Sequence, residues 1–214
     1  MTKLIDQFGQ LDIYIFDQLL RERITKRDKI LDAGCGFGRN LHYFLQEGYE
    51  VFGIDKDPDA IAEVRRSASL LAPHLPSDNF RIETLEEMSF PDKCADVVIC
   101  SAVLHFANDT KHFMSMLHNS WNKLCDGGMF LARLASSIGM EQRFSHLCER
   151  HYRLLDGTDR FLVDEAFLAE CSNELGGKLL DPLKTTIVQD QRCMTTWVLR
   201  KTSAAKTIVD QKRY

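Results

Sequence analysis

The stretch Lys-Ile-Leu-Asp-Ala-Gly-Cys-Gly-Phe-Gly-Arg-Asn, residues 29–40, decides the predicted fold of this chain. It joins a short apolar run to an acid and three alternating glycines, Gly34, Gly36 and Gly38, a pattern typical of a strand that enters a helix through a tight turn. A helix that begins directly after such a turn directs its unpaired N–H groups into the space beside the glycines. The stretch therefore predicts a site for a ligand with an anionic part.

A second apolar run, residues 50–55, ends in Asp55, which stands 21 residues after the first glycine. A carboxylate at the tip of the neighbouring strand can accept hydrogen bonds from a ribose diol. Taken alone, Asp55 also fits the start of a turn through Asp57, a common use of Asp before Pro. Because Asp32 and the glycines precede it at the expected spacing, the ligand-binding interpretation is favoured.

The third glycine distinguishes two classes of nucleotide-binding protein. The dinucleotide fingerprint has a glycine where this chain has Arg39. Residues 32–38, an acid followed by Gly-x-Gly-x-Gly, instead resemble the first motif of the class I S-adenosylmethionine-dependent methyltransferases. The resemblance implies S-adenosylmethionine as cofactor and S-adenosylhomocysteine as product. It also implies an α/β fold with a doubly wound, Rossmann-like seven-stranded sheet, mostly parallel with a C-terminal antiparallel hairpin.

On the positions that match, the resemblance implies a set of cofactor-binding residues. They are Asp32, Gly34, Gly36, Arg39, Asn40, Asp55, Lys56, Leu85 and Ser101. Many family members carry an Asp that binds the adenine amino group where this chain has Thr84, so that contact is open here. Leu85 and the methylenes of Lys56 are expected to flank the adenine ring, with Glu86 or a backbone group at its edge.

The expected chemistry is methyl transfer by in-line displacement, in which proximity and orientation supply most of the catalysis. No acid or base is obligatory. If the acceptor must lose a proton, His105, which follows the fourth predicted strand beside the cleft, is the candidate base, although a lone histidine is more often structural. Arg133, at the end of the fifth strand, either steers an anionic acceptor or pairs with a nearby acid.

Part of the sequence narrows the resemblance to one branch of the family. Residues 35–40, a Gly-Tyr pair before the second strand and the Asp55-Lys56 pair after it resemble the tellurite-resistance and thiopurine-type methyltransferases. This branch implies a small-molecule acceptor with a soft nucleophile, such as a thiol or a chalcogen oxyanion. A small amine is the third acceptor class considered.

The rest of the chain alternates strand and helix patterns, as a doubly wound sheet requires. Apolar spacing predicts N-terminal helices over about 1–25, where Tyr14 and Phe16 either touch a ligand or belong to the core. Strands are predicted at 29–32, 50–55, 80–83, 96–100, 129–134, 184–189 and 194–200, the last two as a hairpin. We expect one methyltransferase domain over 1–201, with an acceptor-side insertion at about 135–160, and a tail at 202–214.

Composition limits the remaining functions. The chain has 214 residues, 44% of them hydrophobic, and a net charge of −4, which is ordinary for a globular protein and argues against nucleic acid as a partner. Its seven cysteines form no CxxC pair and no zinc spacing, so we expect no metal and a reducing compartment. With no apolar run of membrane length and no leader pattern, a cytoplasmic location is expected.

Three alternative functions remain. A nicotinamide-dependent oxidoreductase would share the acid at strand two but needs a glycine in place of Arg39. A sensor or a partner-activating subunit would bind S-adenosylmethionine without catalysis. A nucleic-acid methyltransferase is disfavoured because residues 101–104 read Ser-Ala-Val-Leu, without the Asn/Asp-Pro-Pro-aromatic segment. The oligomeric state is left open.

Overall fold

The computed structural model describes residues 4–202, in which helices cover both faces of a central sheet. The helices are α1 Leu4–Phe8, α2 Ile13–Leu20, α3 Leu41–Gln46, α4 Pro58–Leu71, α5 Thr110–Lys123 and α6 Glu165–Glu174. The strands are β1 Lys29–Ala33, β2 Glu50–Asp55, β3 Phe80–Ile82, β4 Ala95–Ser101, β5 Leu124–Ser136, β6 Ser145–Cys148, β7 His151–Arg153, β8 Asp159–Phe161, β9 Gly177–Leu179, β10 Lys184–Val188 and β11 Arg192–Lys201. No helix among these residues has the length and apolar character to cross a membrane.

The central sheet has the strand order β10-β11-β5-β4-β1-β2-β3, and β9 pairs with β11. The strands β3, β2, β1, β4 and β5 run parallel to their neighbours. The strand β11 runs antiparallel to β5 and forms a hairpin with β10. The predicted fold class, a mostly parallel doubly wound sheet with a C-terminal hairpin, is therefore confirmed. The short strand β9, which sequence analysis did not predict, is an addition to the seven-stranded path.

Two apolar clusters hold the helices against the sheet. On one face, Phe113 of α5 and Phe167 of α6 pack against β4 and β5. On the other face, Ile15 of α2 and Phe44 of α3 pack against β1 and β2. Burying such a side chain stabilises the fold by roughly 1.5–3 kcal/mol. These contacts hold the parallel strands, and therefore their carboxyl ends, in fixed positions.

The strand β5 differs from its predicted form. The predicted strand covers 129–134, whereas β5 begins at Leu124 and includes the glycines at 127 and 128. Its register with β4 moves from the pair Ala95 and Leu124 to the pair Val97 and Met129, so three extra residues of β5 form a bulge. The turn-forming glycines therefore lie within a strand, because a bulge has the same preference for glycine as a turn.

The polar stretch 135–160 was expected as an acceptor-side insertion. It completes β5 and then forms most of a small antiparallel sheet of β6, β7 and β8. This sheet contacts the loop after β4, where Nε2 of His151 lies 2.9 Å from the carbonyl oxygen of Ala107. A role of this segment in binding an acceptor stays a prediction. Of the predicted tail, residues 203–214 lie outside the described part of the chain.

Candidate functional site

A cavity of about 520 Å³ lies at the carboxyl ends of the parallel strands. The strand β1 pairs with β2 on one side and with β4 on the other, so the order of the strands reverses there, and open α/β sheets bind ligands at such a position. The cavity brings together eight of the predicted cofactor-binding residues. They are Gly34, Gly36, Arg39, Asn40, Asp55, Lys56, Leu85 and Ser101.

The loop after β1 is fixed by hydrogen bonds to β2. The backbone N–H groups of Gly34 and Cys35 donate to the carbonyl oxygen of Ile54 at 2.9 and 2.8 Å. The helix α3 begins only at Leu41. The N–H groups of Gly34 and Cys35 are therefore used by β2, and the binding of an anionic part of a ligand by the rest of this loop stays a prediction.

The carboxylate of Asp55 lines the cavity and is held at both oxygens. Its Oδ2 accepts from the backbone N–H of Gly36 at 2.8 Å, and its Oδ1 accepts from that of Asp57 at 3.0 Å. Each carboxylate oxygen has a further lone pair. Asp55 can therefore accept two more hydrogen bonds from a ligand without changing its orientation.

The carboxylate of Asp32 lies outside the residues that line the cavity and is 1% exposed. Neither of its oxygens has a hydrogen-bond partner among the described residues. Burial raises the pKa of Asp32 to about 7, and the neighbouring charge of Arg39 opposes that rise. A buried carboxylate without a partner is unfavourable in its charged form, which agrees with the raised pKa of Asp32, and a contact of this residue with the cofactor stays a prediction.

Asp32→Asn should become more stable relative to the unsubstituted protein as the pH rises from about 4 to 7. In this window the folded chain holds the Asp32 proton, whose pKa is raised from 3.8 to about 7, and the unfolded chain has lost it. The contribution of Asp32 to the free energy of unfolding is thus full below the window and falls as the pH rises through it. Urea unfolding of both proteins at several pH values measures the difference, and a pH-independent difference would contradict the burial argument.

The far end of the cavity is formed by a 3₁₀ turn at Leu85–Glu87 and the first turns of α5. Nε2 of His112 lies 3.1 Å from Oε1 of Glu86, and Nδ1 of His112 accepts the backbone N–H of Asn108 at 3.0 Å. Because Nδ1 is an acceptor, Nε2 carries the ring proton and donates a hydrogen bond to Oε1 of Glu86. The buried hydroxyl of Thr84 also lines this end and has no partner among residues 4–202.

His105, the predicted base, does not line the cavity and is 7% exposed. Its Nδ1 accepts the backbone N–H of Ala135 at 3.2 Å, so Nε2 of the neutral ring carries the proton. Burial, with the charges of Arg160 and Arg192, lowers the pKa of His105 to about 4. The ring has no free lone pair to take a proton from a substrate. This geometry favours a structural role in the loop after β4, and the catalytic role stays a prediction.

Several residues at the cavity were not among the predicted site residues. His112, Met116 and Phe106 line it, and Asp12 contacts Arg39 beside it. The first turns of a helix that follows a parallel strand lie near the carboxyl edge of the sheet, and this rule could have pointed to His112. Tyr14 and Phe16 do not line the cavity; the Tyr14 hydroxyl lies 2.9 Å from that of Thr186. No group of three or more His, Cys, Asp or Glu suited to a metal ion occurs in the described chain.

Comparison with known proteins identifies the central part of this chain. Residues 31–132 match a family described as a methyltransferase domain. A probable S-adenosylmethionine-dependent methyltransferase of Mycolicibacterium smegmatis is 31% identical over 121 residues, which cover 56% of this chain and 43% of that protein. The chain spans between about a third and a half of the length of the curated relatives it matches.

Solved structures share the fold at low identity. A Methanosarcina mazei protein described as a SAM-dependent methyltransferase has a TM-score of 0.68 at 20% identity, with 86% of this chain and 97% of that chain covered. The 1,6-didemethyltoxoflavin-N1-methyltransferase of Burkholderia thailandensis, solved with bound 1,6-didemethyltoxoflavin and S-adenosylhomocysteine, has a TM-score of 0.67 at 19% identity, covering 91% of this chain and 80% of that one. These matches support the coarser prediction of an S-adenosylmethionine-dependent methyltransferase, whereas the tellurite-resistance and thiopurine-type branch stays a prediction. Residues 31–132 therefore match the methyltransferase domain family, and the chain shares its fold with solved S-adenosylmethionine-dependent methyltransferases.

Proposed function

We propose that this chain binds S-adenosylmethionine and transfers its methyl group to a small-molecule acceptor by in-line displacement. The observation that carries the proposal is the carboxylate of Asp55, which lines the cavity and is oriented by two backbone N–H groups. A carboxylate held in this way is suited to the two hydroxyls of a ribose. The family of residues 31–132 supports the same cofactor.

The other residues of the cavity fit the rest of this cofactor. Leu85 and the methylenes of Lys56 offer apolar surface for the adenine ring. The hydroxyl of Thr84, which lines the cavity and has no partner in the described residues, is a polar group that a ligand can satisfy. When bound, the cofactor supplies a methyl group made electrophilic by a sulfonium. The residues of the chain then have to orient the two reactants and exclude water.

The edge of the adenine ring is the next part to assign. Glu86, oriented by the Nε2–H of His112, can accept a hydrogen bond from the adenine amino group, and the Thr84 hydroxyl can bond a ring nitrogen. This arrangement would replace the acid that many family members carry at the position of Thr84. The pair of Glu86 and His112 thus acts at the position left open by sequence analysis.

Glu86→Gln should reduce the preference for adenine over hypoxanthine. The unsubstituted protein is expected to bind S-adenosylhomocysteine about tenfold more tightly than its hypoxanthine analogue, because hypoxanthine has an oxygen in place of the amino group that Glu86 accepts from. Calorimetric titration of both ligands measures this ratio. Glu87→Gln, the same change at an exposed neighbour that does not line the cavity, is the control. An unchanged ratio in Glu86→Gln would remove Glu86 from the adenine edge.

The acceptor belongs to this proposal as a class of small molecules. Resemblance to the tellurite-resistance and thiopurine-type branch supports a thiol or a chalcogen oxyanion, and a small amine is the third class. The net charge of −4 gives no support for nucleic acid as acceptor. All seven cysteines are free, which is consistent with a reducing, cytoplasmic location as part of the same proposal.

Calorimetric titration with S-adenosylhomocysteine, with NADH and NADPH as parallel controls, tests the proposed cofactor. Micromolar binding of S-adenosylhomocysteine alone is the expected result. Binding of a nicotinamide cofactor alone would overturn the proposal in favour of an oxidoreductase. A subsequent screen for S-adenosylhomocysteine formation with thiols, chalcogen oxyanions and amines tests catalysis. Binding without turnover of any of these acceptors would favour a sensor or a partner-activating subunit.

A further inference from the structure

A half-exposed aromatic ring lines the cavity from the loop after β4. Phe106 is 55% exposed, and it lines the cavity together with Val103 of the same loop and Met116 of α5. Its neighbours in the chain, Leu104 and His105, are buried. An exposed apolar side chain is ordinary on a protein surface, but on the wall of a cavity it offers contact area to a ligand.

The backbone of this loop is fixed on both sides of Phe106. Ala102, at the start of the loop, has a φ of +64°, and its N–H donates to the carbonyl oxygen of Arg133 at 2.7 Å. At the other end, His151 of the small sheet contacts the carbonyl oxygen of Ala107. A left-handed alanine is unfavourable and persists only where its surroundings hold it. The exposure of Phe106 is therefore a property of a fixed loop.

The small sheet also fixes the orientation of the Phe106 ring. The guanidinium carbon of Arg160, on β8, lies over this ring at 4.9 Å from its centre, which is a suitable distance for a cation–π interaction. Arg160 is itself held by a hydrogen bond from its Nη1 to the carbonyl oxygen of Asp159 at 2.7 Å. The ring is thus supported on the side of Arg160, and its remaining exposed surface is available to a ligand.

Phe106 lies on the side of the cavity opposite to the proposed nucleoside contacts. The strands follow the order β5-β4-β1-β2-β3. Asp55, the proposed ribose contact, ends β2, and the proposed adenine contacts Leu85 and Glu86 follow β3, whereas the loop of Phe106 follows β4. The sulfonium joins the nucleoside to the methionine part of the cofactor. With the nucleoside at β2 and β3, an acceptor has to reach the methyl group from the side of β4.

The part of the cavity wall that follows β4 is uncharged. Its residues are Ser101, Ala102, Val103 and Phe106. The charged side chains among the described residues that line the cavity follow β1, β2 and β3 instead, and they are Arg39, Asp55, Lys56, Glu83 and Glu86. This wall therefore suits an uncharged, flat part of an acceptor better than an oxyanion.

We propose that Phe106 binds an aromatic ring of the methyl acceptor, so that the preferred acceptors are aromatic compounds with a thiol or an amine attached beside the ring. The inference rests on the proposed function and narrows its acceptor class. Two aromatic rings gain affinity beyond their buried area when they pack offset or edge to face. A chalcogen oxyanion has no ring, and it cannot make this contact.

The test compares phenylmethanethiol with cyclohexylmethanethiol, in which the thiol is attached to a methylene beside a flat or a saturated ring. The protein saturated with S-adenosylhomocysteine should bind the aromatic thiol about fivefold more tightly in a calorimetric titration. Burial of apolar surface alone would favour the saturated ring, because it is the more hydrophobic of the two. The order of the two affinities therefore reports contact between aromatic rings.

Phe106→Leu should remove this preference and leave the affinity for S-adenosylhomocysteine unchanged. Phe106→Tyr, which keeps the ring, should retain the preference. Phe16→Leu is the matched control, because it makes the same change at a ring of α2 that does not line the cavity, and it should retain the preference as well. Circular dichroism checks the folding of every variant.

The outcomes separate failure of this inference from failure of the proposed function. Equal affinities for the two thiols, binding of neither thiol, or an unchanged preference in Phe106→Leu would overturn the inference. A loss of about tenfold in the affinity of Phe106→Leu for S-adenosylhomocysteine would assign the ring to the cofactor and also overturn it. Failure of the unsubstituted protein to bind S-adenosylhomocysteine would instead contradict the proposed function.

Discussion

Gly34→Ala is expected to lower the free energy of unfolding by about 3 kcal/mol, from the left-handed backbone and the overpacking combined. Gly34 has a φ of +82°, and a Cβ placed on it would lie 2.4 Å from Cγ2 of Val103 and 2.9 Å from its Cγ1. The backbone angle is unfavourable for alanine, and the contact forces Val103 to move. Because Val103 lines the cavity, the affinity for S-adenosylhomocysteine should fall as well.

Gly36→Ala, two residues after Gly34, separates the effect of the left-handed backbone from the effect of overpacking. Gly36 also has a positive φ, +51°, but a Cβ built on it meets no heavy atom within 4 Å. Its substitution should cost only the conformational part, about 1–2 kcal/mol. Urea unfolding of both variants measures the difference between them. Equal losses would show that crowding against Val103 contributes nothing to the requirement for glycine at position 34.

The sheet could be predicted because its strands carry continuous apolar runs. The strands β1, β2 and β4 are buried on both faces, and their sequences read as apolar segments between turn residues and helix starts. The small sheet of β6, β7 and β8 could not be predicted in this way. Its strands have three or four residues, and those of β6 are all exposed, so no burial pattern marks them in the sequence.

The candidate site also contains residues that the sequence could predict and residues that it could not. Residues that follow directly from a strand end, such as Gly34 and Asp55, were placed at the cavity by their distance along the chain from β1 and β2. His112 and Asp12 reach the site from α5 and from the turn before α2. Their positions depend on how these helices pack against the sheet, which the local sequence does not specify.

His105 shows what the distance along the chain leaves undetermined. The sequence correctly places it after β4, but the distance along the chain does not determine on which side of that loop a side chain lies. The ring points to β5, where it accepts the N–H of Ala135, and Val103 and Phe106 of the same loop line the cavity instead. Within such a loop, a shift of one residue along the chain changes which side chain lines the cavity.

Asp55→Ala should weaken the binding of S-adenosylhomocysteine by about ten- to a hundredfold, since hydrogen bonds to a charged acceptor contribute about 1.5–3 kcal/mol. Asp55→Asn, which keeps one acceptor oxygen but not the charge, should fall between Ala and the unsubstituted protein. Asp57→Asn is the matched control, because Asp57 lies two residues after Asp55, caps α4 and does not line the cavity. Calorimetry measures the affinities, and circular dichroism checks the fold.

The order of the three affinities is more informative than any single value. If Asp55 only fixes the glycine loop, through its bond to the N–H of Gly36, then Asn can accept the same bond and should bind the ligand as well as Asp does. If Asp55 also accepts hydrogen bonds from the ligand, the loss of its charge weakens binding in Asn too. A variant Asp55→Asn with full affinity would therefore remove the ligand contact and leave Asp55 as a support for the loop.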